Sequence, residues 1–392
     1  MIDILVVSNS CFTAINRNIY RLFLYEGWKI EMAIPGEMQF PTGLKKAQPA
    51  MPGDPPLHWL TIKGVNPRIY LFNGLTELLE EKKPRIVLID NDPVSRLAWK
   101  TGKWCKKNGA QLFCISCENL SLGIRDTIKR RGVKSLPVAL LKRMMIARTR
   151  NVVNGVFIIN SDGKKIFEQE GYRNVYQVPL GFDPEYFSVN EKERKAVREK
   201  LGLNTKVIAY FGRITPEKGV AMLIQALSGL LQYNWKLMMD HFDEYVSGYN
   251  KEVHELLQTS GIMERVVFVS PDHFGIGAYM NAADIVVVPS VSVPNWKEQY
   301  GRVAAEAMAC GALVIASDSG ALPELLNGNG IIFPEGNTDA LRGAIEQQLN
   351  SETGYTYPNS KAAAYARTSL SMQKQKEIME TAFAATGIKK NI

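Results

Sequence analysis

The sequence predicts an α/β protein of two doubly wound domains. Three observations predict it. The chain has 392 residues, more than one hydrophobic core usually serves, so two domains are expected. It opens as strand, helix, strand, and a βαβ unit implies a parallel sheet with a right-handed crossover. A second strand, turn and helix start at Val207, far downstream of the first. The composition, 46% apolar and 22% charged, is that of a soluble globular chain, and no apolar run approaches the ~20 residues that span a bilayer.

The elements follow in order. Ile2 to Val7 is an apolar, β-branched run that suits a strand buried on both faces, and MIDILVVSNS lacks the basic start of a signal peptide. A helix runs through Tyr20, Leu22, Phe23 and Leu24 to the Gly27 stop, and Trp28 to Ile34 is the next strand. The loop between them, holding Asn16 and Arg17, leaves a strand's carboxyl end, where doubly wound sheets place their ligand crevice. Asn16 and Arg17 read either as ligand contacts or as a helix cap and a solvated arginine. From Glu37 to Pro67 the chain is rich in Pro and Gly and reads as a long excursion. A helix over 75–83 precedes a strand from Arg85 to Ile89, which ends in Asp90-Asn91-Asp92. A helix from Val94 to Asn108 precedes a strand from Gln111 to Ile115, which ends in Ser116-Cys117-Glu118. Two successive strands thus deliver polar clusters to one sheet edge. Residues 125–150 hold nine Lys or Arg against one acid, Asp126, around SLPVALLKRMMIA; this reads as a face for an anionic membrane or as a core helix with a solvated basic side. Val156 to Asn160 is a strand, Ser161-Asp162 caps the helix through Phe167, and Val175 to Val178 ends the domain's strands. The boundary falls near residue 187, before the charged run NEKERKAVREK, giving domains 1–187 and 188–367 with a terminal helix over 368–392.

In the second domain the strand Val207 to Phe211 leads into Gly212-Arg213-Ile214-Thr215-Pro216-Glu217-Lys218-Gly219, then a helix through Met222, Leu223, Ala226, Leu227 and Leu230. Lys236 to Met239, Val266 to Val269, Asp284 to Ser290, Leu313 to Ala316 and Gly330 to Phe333 supply further strands. Between the last three lies the densest stretch of the chain, VSVPNWKEQYGRVAAEAMACGALVIASDSGALPELL. Glu298 and Glu306 are eight positions apart, too far round a 3.6-residue helix to share a face. They make sense as a loop acid and a helix acid reaching different parts of one ligand. Gly301 between them would let a ligand approach the backbone, and the first helical turn, at Arg302 and Val303, offers free N–H groups to an anion. Phosphate at the turn with hydroxyls held by carboxylates describes a nucleotide sugar.

The Glu298-to-Glu306 spacing, AMACG and the following SGALPE resemble the donor site of family-4 retaining glycosyltransferases of the GT-B fold, and Gly212-Arg213 with Lys218-Gly219 resembles that family's phosphate loop. The resemblance covers nearly the whole chain and is sharpest from 206 to 335; it implies that the two domains face across a cleft and that the terminal helix over 368–392 returns to the first. It implies that Gly212, Arg213 and Lys218 hold a diphosphate, that Glu306 receives ribose hydroxyls, and that Glu298 binds the donor sugar, with Gly301, Arg302 and Val303 beside it. Asp92 and Glu118, with Asn16 and Arg17, become acceptor-side candidates. The chain departs from the family at Asp240-His241-Phe242-Asp243, where a glycine-rich turn is usual, and at Ser270, where glycine is.

The net charge of +8 favours a polyanionic partner, but no nucleic-acid-binding motif is present, so diphosphates and acidic lipid are the expected partners. Five cysteines, with a lone Cys114-x-x-Cys117, suit a reducing cytoplasm, and four histidines give little to build a metal site from. No cofactor or metal is expected beyond the nucleoside diphosphate sugar itself. The acceptor implied is a glycan or lipid-linked glycan in surface polysaccharide or glycolipid synthesis, at the inner face of the cytoplasmic membrane. A sugar-nucleotide epimerase of the same architecture and a non-catalytic nucleotide-sugar-binding module are the alternatives. A nicotinamide enzyme would need a G-x-G-x-x-G turn, which neither VSNSCF nor YFGRIT supplies.

Overall fold

The computed structural model describes residues 1–40, 43–64, 66, 68–350 and 355–390. The chain forms two units, Met1–Gly181 together with Met372–Ile392, and Phe182–Ser371.

In the first unit eight strands form one sheet, in the order Val175–Gln177, Gly155–Ile158, Gln111–Ser116, Ile86–Asp90, Ile4–Ser8, Ile30–Pro35, Leu57–Lys63, Leu71–Asn73. Every pair is parallel except the last, which is antiparallel. The central strands are apolar throughout because helices cover both faces, and Ile4–Ser8 is buried along its whole length. The chain leaves Ile4–Ser8 toward one edge and resumes on its other side with Ile86–Asp90. Strand order therefore reverses between these carboxyl ends, the place where open parallel sheets bind ligands. There Ser8 Oγ donates to Asp90 Oδ2 at 2.8 Å, and Ser10 Oγ donates to the same oxygen.

The stretch from Glu37 to Pro67 is a correction. Apart from residues 41–42, 65 and 67, which lie outside those described, it is largely ordered into strands. Glu37–Phe40 and Gly43–Lys46 form an antiparallel hairpin, and Leu57–Lys63 joins the main sheet beside Ile30–Pro35. Leu57–Lys63 alternates half-buried and exposed positions, so it shows no apolar run of the kind that marks the central strands. The cap of the Ser161–Gln169 helix also differs: Asn160 Oδ1, not Ser161 or Asp162, accepts the Gly163 N–H at 2.7 Å.

The last helix, Met372–Ala385, completes the first unit's core. Phe383 is fully buried, its ring centroid 4.9 Å from Phe113, 5.9 Å from Phe157 and 6.1 Å from Trp28. These edge-on contacts suit the quadrupoles of the rings. Phe383→Ala is expected to lower the unfolding free energy by about 3–5 kcal/mol, through lost burial and the cavity left behind. Urea unfolding measures it; a loss below ~1 kcal/mol would mean the helix is held by its other contacts.

The second unit holds six parallel strands in the order Val266–Val269, Trp235–Asp240, Lys206–Tyr210, Ile285–Val288, Leu313–Ser317, Ile331–Phe333. Here the chain begins in the middle, moves to one edge, and then crosses to build the other side. That is the order of a dinucleotide-type doubly wound sheet, with its reversal between Lys206–Tyr210 and Ile285–Val288. Ile208, Leu223, Leu227, Trp235, Ile285 and Ile315 are fully buried in the core that fixes this sheet.

Candidate functional site

Two loops leave the reversal point of the second unit and are sewn together. The first follows Lys206–Tyr210 and ends in a 3-10 turn, Pro216–Lys218, then Gly219 and the helix Val220–Ser228. The second follows Ile285–Val288 and ends at the helix Arg302–Ala309. Val291 N–H donates to Glu217 O at 2.9 Å. Gly219 has φ +68°, and a Cβ there would lie 1.8 Å from the Pro289 carbonyl oxygen, so only glycine lets the loops close on each other.

This closure sets Lys218 against Glu298. Lys218 Nζ lies 2.6 Å from Glu298 Oε2 and 4.8 Å from the centroid of the Trp296 ring. Ser290 Oγ donates to the same carboxylate oxygen at 2.8 Å, and Ser317 Oγ holds the Ser290 carbonyl in turn. Glu298 is buried, and its charge is met by one ammonium and one hydroxyl on that oxygen. The two residues, expected to reach separate parts of a ligand, thus form one pair. An ammonium has three donors, so Lys218 can hold Glu298 and still present N–H to an anion.

Glu298 lies in the loop and Glu306 on the helix, with Gly301 as the residue before that helix. Gly301 has φ +94°, and a Cβ would meet Leu322 Cδ2 at 2.5 Å. The glycine is therefore required by the helix start and by packing against Leu322, whatever a ligand's approach asks of it. Arg302 is exposed and Val303 half-buried, and their N–H groups fall in the first turn, which lacks carbonyls to bind within the helix. Glu306 faces inward, 8% exposed, and its carboxyl makes no hydrogen bond among the described residues. Burial pushes its pKa up to about 7, partly opposed by Arg302.

Arg213 is exposed, and its guanidinium makes no hydrogen bond or ion pair within the described residues. With Gly212 it lines a cavity of about 630 Å³ that also takes in Asp240, His241, Ser270, Asp272 and His273. Gly212 N–H donates to Asp240 Oδ2 at 3.0 Å, while burial raises the pKa of that carboxyl. Asp240, where the sequence departs from the resembled pattern, is thus built into the turn at Gly212.

The first unit's candidates fare differently. Arg17 is fully buried: its guanidinium donates to the carbonyls of Cys11 at 2.8 Å, Gln48 at 2.6 Å and Pro49 at 2.8 Å, and to Asp54 Oδ2 at 2.9 Å. With four N–H groups engaged and no exposure, it is an internal brace, neither a solvated side chain nor a ligand contact. Asn16 Nδ2 donates to Ser10 O at 2.8 Å, beside the Ser8–Asp90 pair. Asp92 and Glu118 come together through a residue that sequence reasoning missed. Arg68 lies 3.0 Å from Asp92 Oδ2 and 3.0 Å from Glu118 Oε2. Asp92 also accepts from Val94 N–H, while Ser95, not Asp92, caps the Arg96–Asn108 helix. No signal in the sequence singles out Arg68, a lone arginine in a Pro-flanked segment. Trp296, also missed, opens the WKEQYG stretch and could have been found from it; Ser290, eight residues before Glu298, carries no such signal.

Residues 191–368 match the family model described as Glycosyl transferases group 1. An uncharacterized glycosyltransferase of Methanocaldococcus jannaschii is 31% identical over 202 residues, 48% of this chain and 49% of that protein. A D-inositol 3-phosphate glycosyltransferase of Corynebacterium jeikeium is 33% identical over 187 residues, 44% of this chain and 43% of its own length. The chain spans about half the length of the curated relatives it matches. Among solved structures, Anabaena HepE in complex with UDP and glucose superposes with a TM-score of 0.72 at 19% identity, covering 98% of this chain and 100% of that one. Sucrose-phosphate synthase of Thermosynechococcus elongatus gives 0.73 at 16%, covering 99% of each. These likenesses show the fold, which is that of the GT-B glycosyltransferases.

Proposed function

We propose, from a second unit that belongs to the glycosyl transferases group 1 family, that the chain moves a sugar from a nucleoside diphosphate sugar to an acceptor hydroxyl with retention of anomeric configuration. The observation that carries this reading is the paired Lys218 and Glu298 at the reversal point of a doubly wound sheet, with Arg213 and Glu306 on the neighbouring elements. Arg213 and Lys218 meet the diphosphate, Gly301, Arg302 and Val303 line the sugar and phosphate, Glu298 takes the sugar's hydroxyls, and Glu306 takes those of the ribose. As the bond from the anomeric carbon to the phosphate oxygen breaks, charge grows on the diphosphate, where fixed cations act without solvent reorganisation. The acceptor oxygen bonds to the same face of that carbon, and its proton passes to the departing phosphate oxygen. Two cationic side chains supply the charge that a metal would, so neither metal nor cofactor is invoked. The bound UDP of HepE makes a uridine nucleotide the first donor to try. Incubation with a panel of nucleotide sugars, with and without glycan and lipid-linked acceptors, tests the reading. Acceptor-dependent nucleoside diphosphate release supports it; epimerised donor, or binding without turnover, would replace it.

The same reading places the first unit at an anionic membrane, on the cytoplasmic face, where a lipid-linked acceptor in glycolipid or surface polysaccharide synthesis would be met. No helix among the described residues is long and apolar enough to cross a membrane. The helices Ile124–Arg131 and Leu136–Thr149 divide the two expectations for residues 125–150. Ala139, Met145 and Ile146 enter the core, while Val133, Val138, Leu140 and Met144 are exposed beside exposed Lys129, Arg131, Lys134 and Arg143. Each Lys or Arg near an anionic surface contributes ~1 kcal/mol, and salt screens it. Co-sedimentation with phosphatidylglycerol vesicles is expected at low salt and is lost at high salt. Equal binding to neutral vesicles would leave these cations as a solvated face.

A further inference from the structure

The buried guanidinium of Arg17 ties together two sides of a cavity. It holds the carbonyl of Cys11, in the loop after Ile4–Ser8, and those of Gln48 and Pro49, which follow the hairpin of Glu37–Phe40 and Gly43–Lys46. Gln48 N–H donates back to Phe12 O at 3.0 Å. Beside the hairpin, Leu57–Lys63 pairs with Ile30–Pro35 as far as Leu60 against Pro35, so Thr61 to Lys63 extend beyond that strand's carboxyl end. These parts enclose a cavity of about 250 Å³, with Asn9, Glu37, Met38, Leu44, Thr61 and Tyr70 among its lining. Asn9 follows Ser8, and Tyr70 Oη accepts from Asn91 Nδ2 at 2.8 Å, next to Asp90. The cavity therefore adjoins the strand-order reversal of the first unit, where parallel sheets bind ligands.

The lining selects a ligand chemistry. It includes one carboxylate, Glu37, and no lysine or arginine among the described residues. The Glu37 carboxylate and the Asn9 carboxamide make no hydrogen bond or ion pair among the described residues, although Lys46 stands opposite Glu37 across the hairpin. An anion here would meet a carboxylate and no countercharge, an arrangement that is penalised wherever water is partly excluded. Hydroxyl groups suit it. They donate to Glu37 and can either donate to or accept from Asn9. Thr61 Oγ1 accepts from Asn73 Nδ2 at 2.9 Å, which leaves its O–H to donate to the cavity. Met38 and Leu44 add apolar surface, and Leu44 is 61% exposed beside these polar groups. Hydroxyls and C–H faces on one compact ring describe a sugar. The volume of about 250 Å³ is below the ~300–1,000 Å³ of drug-sized sites, so it suits a single ring.

We propose that this cavity is a subsite for one uncharged sugar residue of the acceptor, whose hydroxyls are received by Glu37 and Asn9. This rests on the reading of the chain as a glycosyltransferase, and it narrows the group held there to a neutral glycan unit, as against a phosphate or a uronic acid. Arg17 is then a positioning residue. It touches no sugar, and it fixes the segment after the hairpin that carries Glu37 against the loop that carries Asn9.

The test titrates the methyl glycosides of glucose, galactose, mannose and N-acetylglucosamine into the full chain without any nucleotide, with glucuronate and glucose 6-phosphate as charged counterparts. Saturable binding of a neutral sugar is expected, with the charged counterparts weaker by about 10-fold or more. Glu37 is exposed and unbonded, so Glu37→Ala leaves the fold intact. It should weaken binding about 10- to 100-fold, the loss of a hydrogen bond to a charged acceptor, and Asn9→Ala should weaken it about 3- to 10-fold. Glu298→Gln, in the second unit, should leave this affinity as it was. No saturable binding of any neutral sugar, equal binding of the charged ones, or binding lost in Glu298→Gln and kept in Glu37→Ala overturns the subsite. Sugar binding without transfer from any nucleotide sugar would sink the proposed function and leave the sugar site standing. Acceptor-dependent transfer that Glu37→Ala and Asn9→Ala leave unchanged would do the reverse.

Discussion

Arg213→Ala and Lys218→Ala are each expected to cut turnover about 100- to 1000-fold, the loss typical of one preorganised donor to developing charge. The two should differ in what else they do. Arg213 is exposed and ties nothing down, so its removal leaves the fold untouched. Lys218 is the cation paired with buried Glu298, and deleting it removes the countercharge of that carboxylate. Breaking one side of a buried pair costs about 3–5 kcal/mol, and less here because Lys218 is about a quarter exposed, so this variant should also lose stability. Adding Glu298→Ala to Lys218→Ala should restore much of the stability and none of the turnover. Nucleoside diphosphate release, read beside urea unfolding of the same samples, separates the two effects. Near-wild-type turnover in both single variants would remove the diphosphate assignment.

How much of this was legible in the sequence depended on whether neighbours in space were neighbours in the chain. Ile4–Ser8, Ile86–Asp90 and Leu313–Ser317 are buried on both faces, so their apolar runs announce them. Leu57–Lys63 is only partly covered and shows no such run. The Gly212–Gly219 turn was readable as a turn because its glycines and cations are contiguous, whereas the strand order that sets the reversal point emerged only with the fold. The Lys218–Glu298 pair was not, because its members are eighty positions apart and reach each other only when Gly219 lets the loops close.

Buried charge was the main blind spot. Arg17 read as a solvated side chain or a ligand contact because an arginine is rarely sealed, and its carboxylate partner, Asp54, lies in the stretch read as an excursion. Arg68 joins Asp92 to Glu118 across similar distances in sequence. Lys142, buried on the Leu136–Thr149 helix, is different. Its helical spacing from Ala139, Met145, Ile146 and Thr149 was already present in the sequence, so its inward direction could have been read there; the surrounding basic residues made it look like one more solvated lysine.

Glu306→Gln is expected to weaken nucleoside diphosphate binding about 10- to 100-fold, whereas Glu298→Gln should mainly reduce turnover. A hydrogen bond to a charged acceptor is worth about 1.5–3 kcal/mol, and glutamine keeps the size while giving up the charge. The pH dependence gives the sharper test. With its pKa at about 7, Glu306 is largely protonated in mildly acidic solution, and a protonated carboxyl receives ribose hydroxyls poorly. Affinity for the free diphosphate should therefore climb as pH rises through about 7 and then level off; in Glu306→Gln that rise should be missing. Asp240, whose carboxyl is also raised by burial, is common to both proteins, so the difference between their profiles belongs to Glu306. The unliganded protein should show the opposite trend in stability. The folded state raises this group from 4.5 to about 7, so its contribution is fully present below 4.5 and is lost as pH rises through about 7. That loss is of order 3 kcal/mol and should be absent from Glu306→Gln. Calorimetric titration across roughly pH 5.5–8.5 checks the binding limb, and urea unfolding across roughly pH 4–8, from below the unfolded pKa to above the folded one, checks the other. A pH-independent affinity in the parent protein, or diphosphate affinity lost in Glu298→Gln and kept in Glu306→Gln, would overturn the ribose assignment.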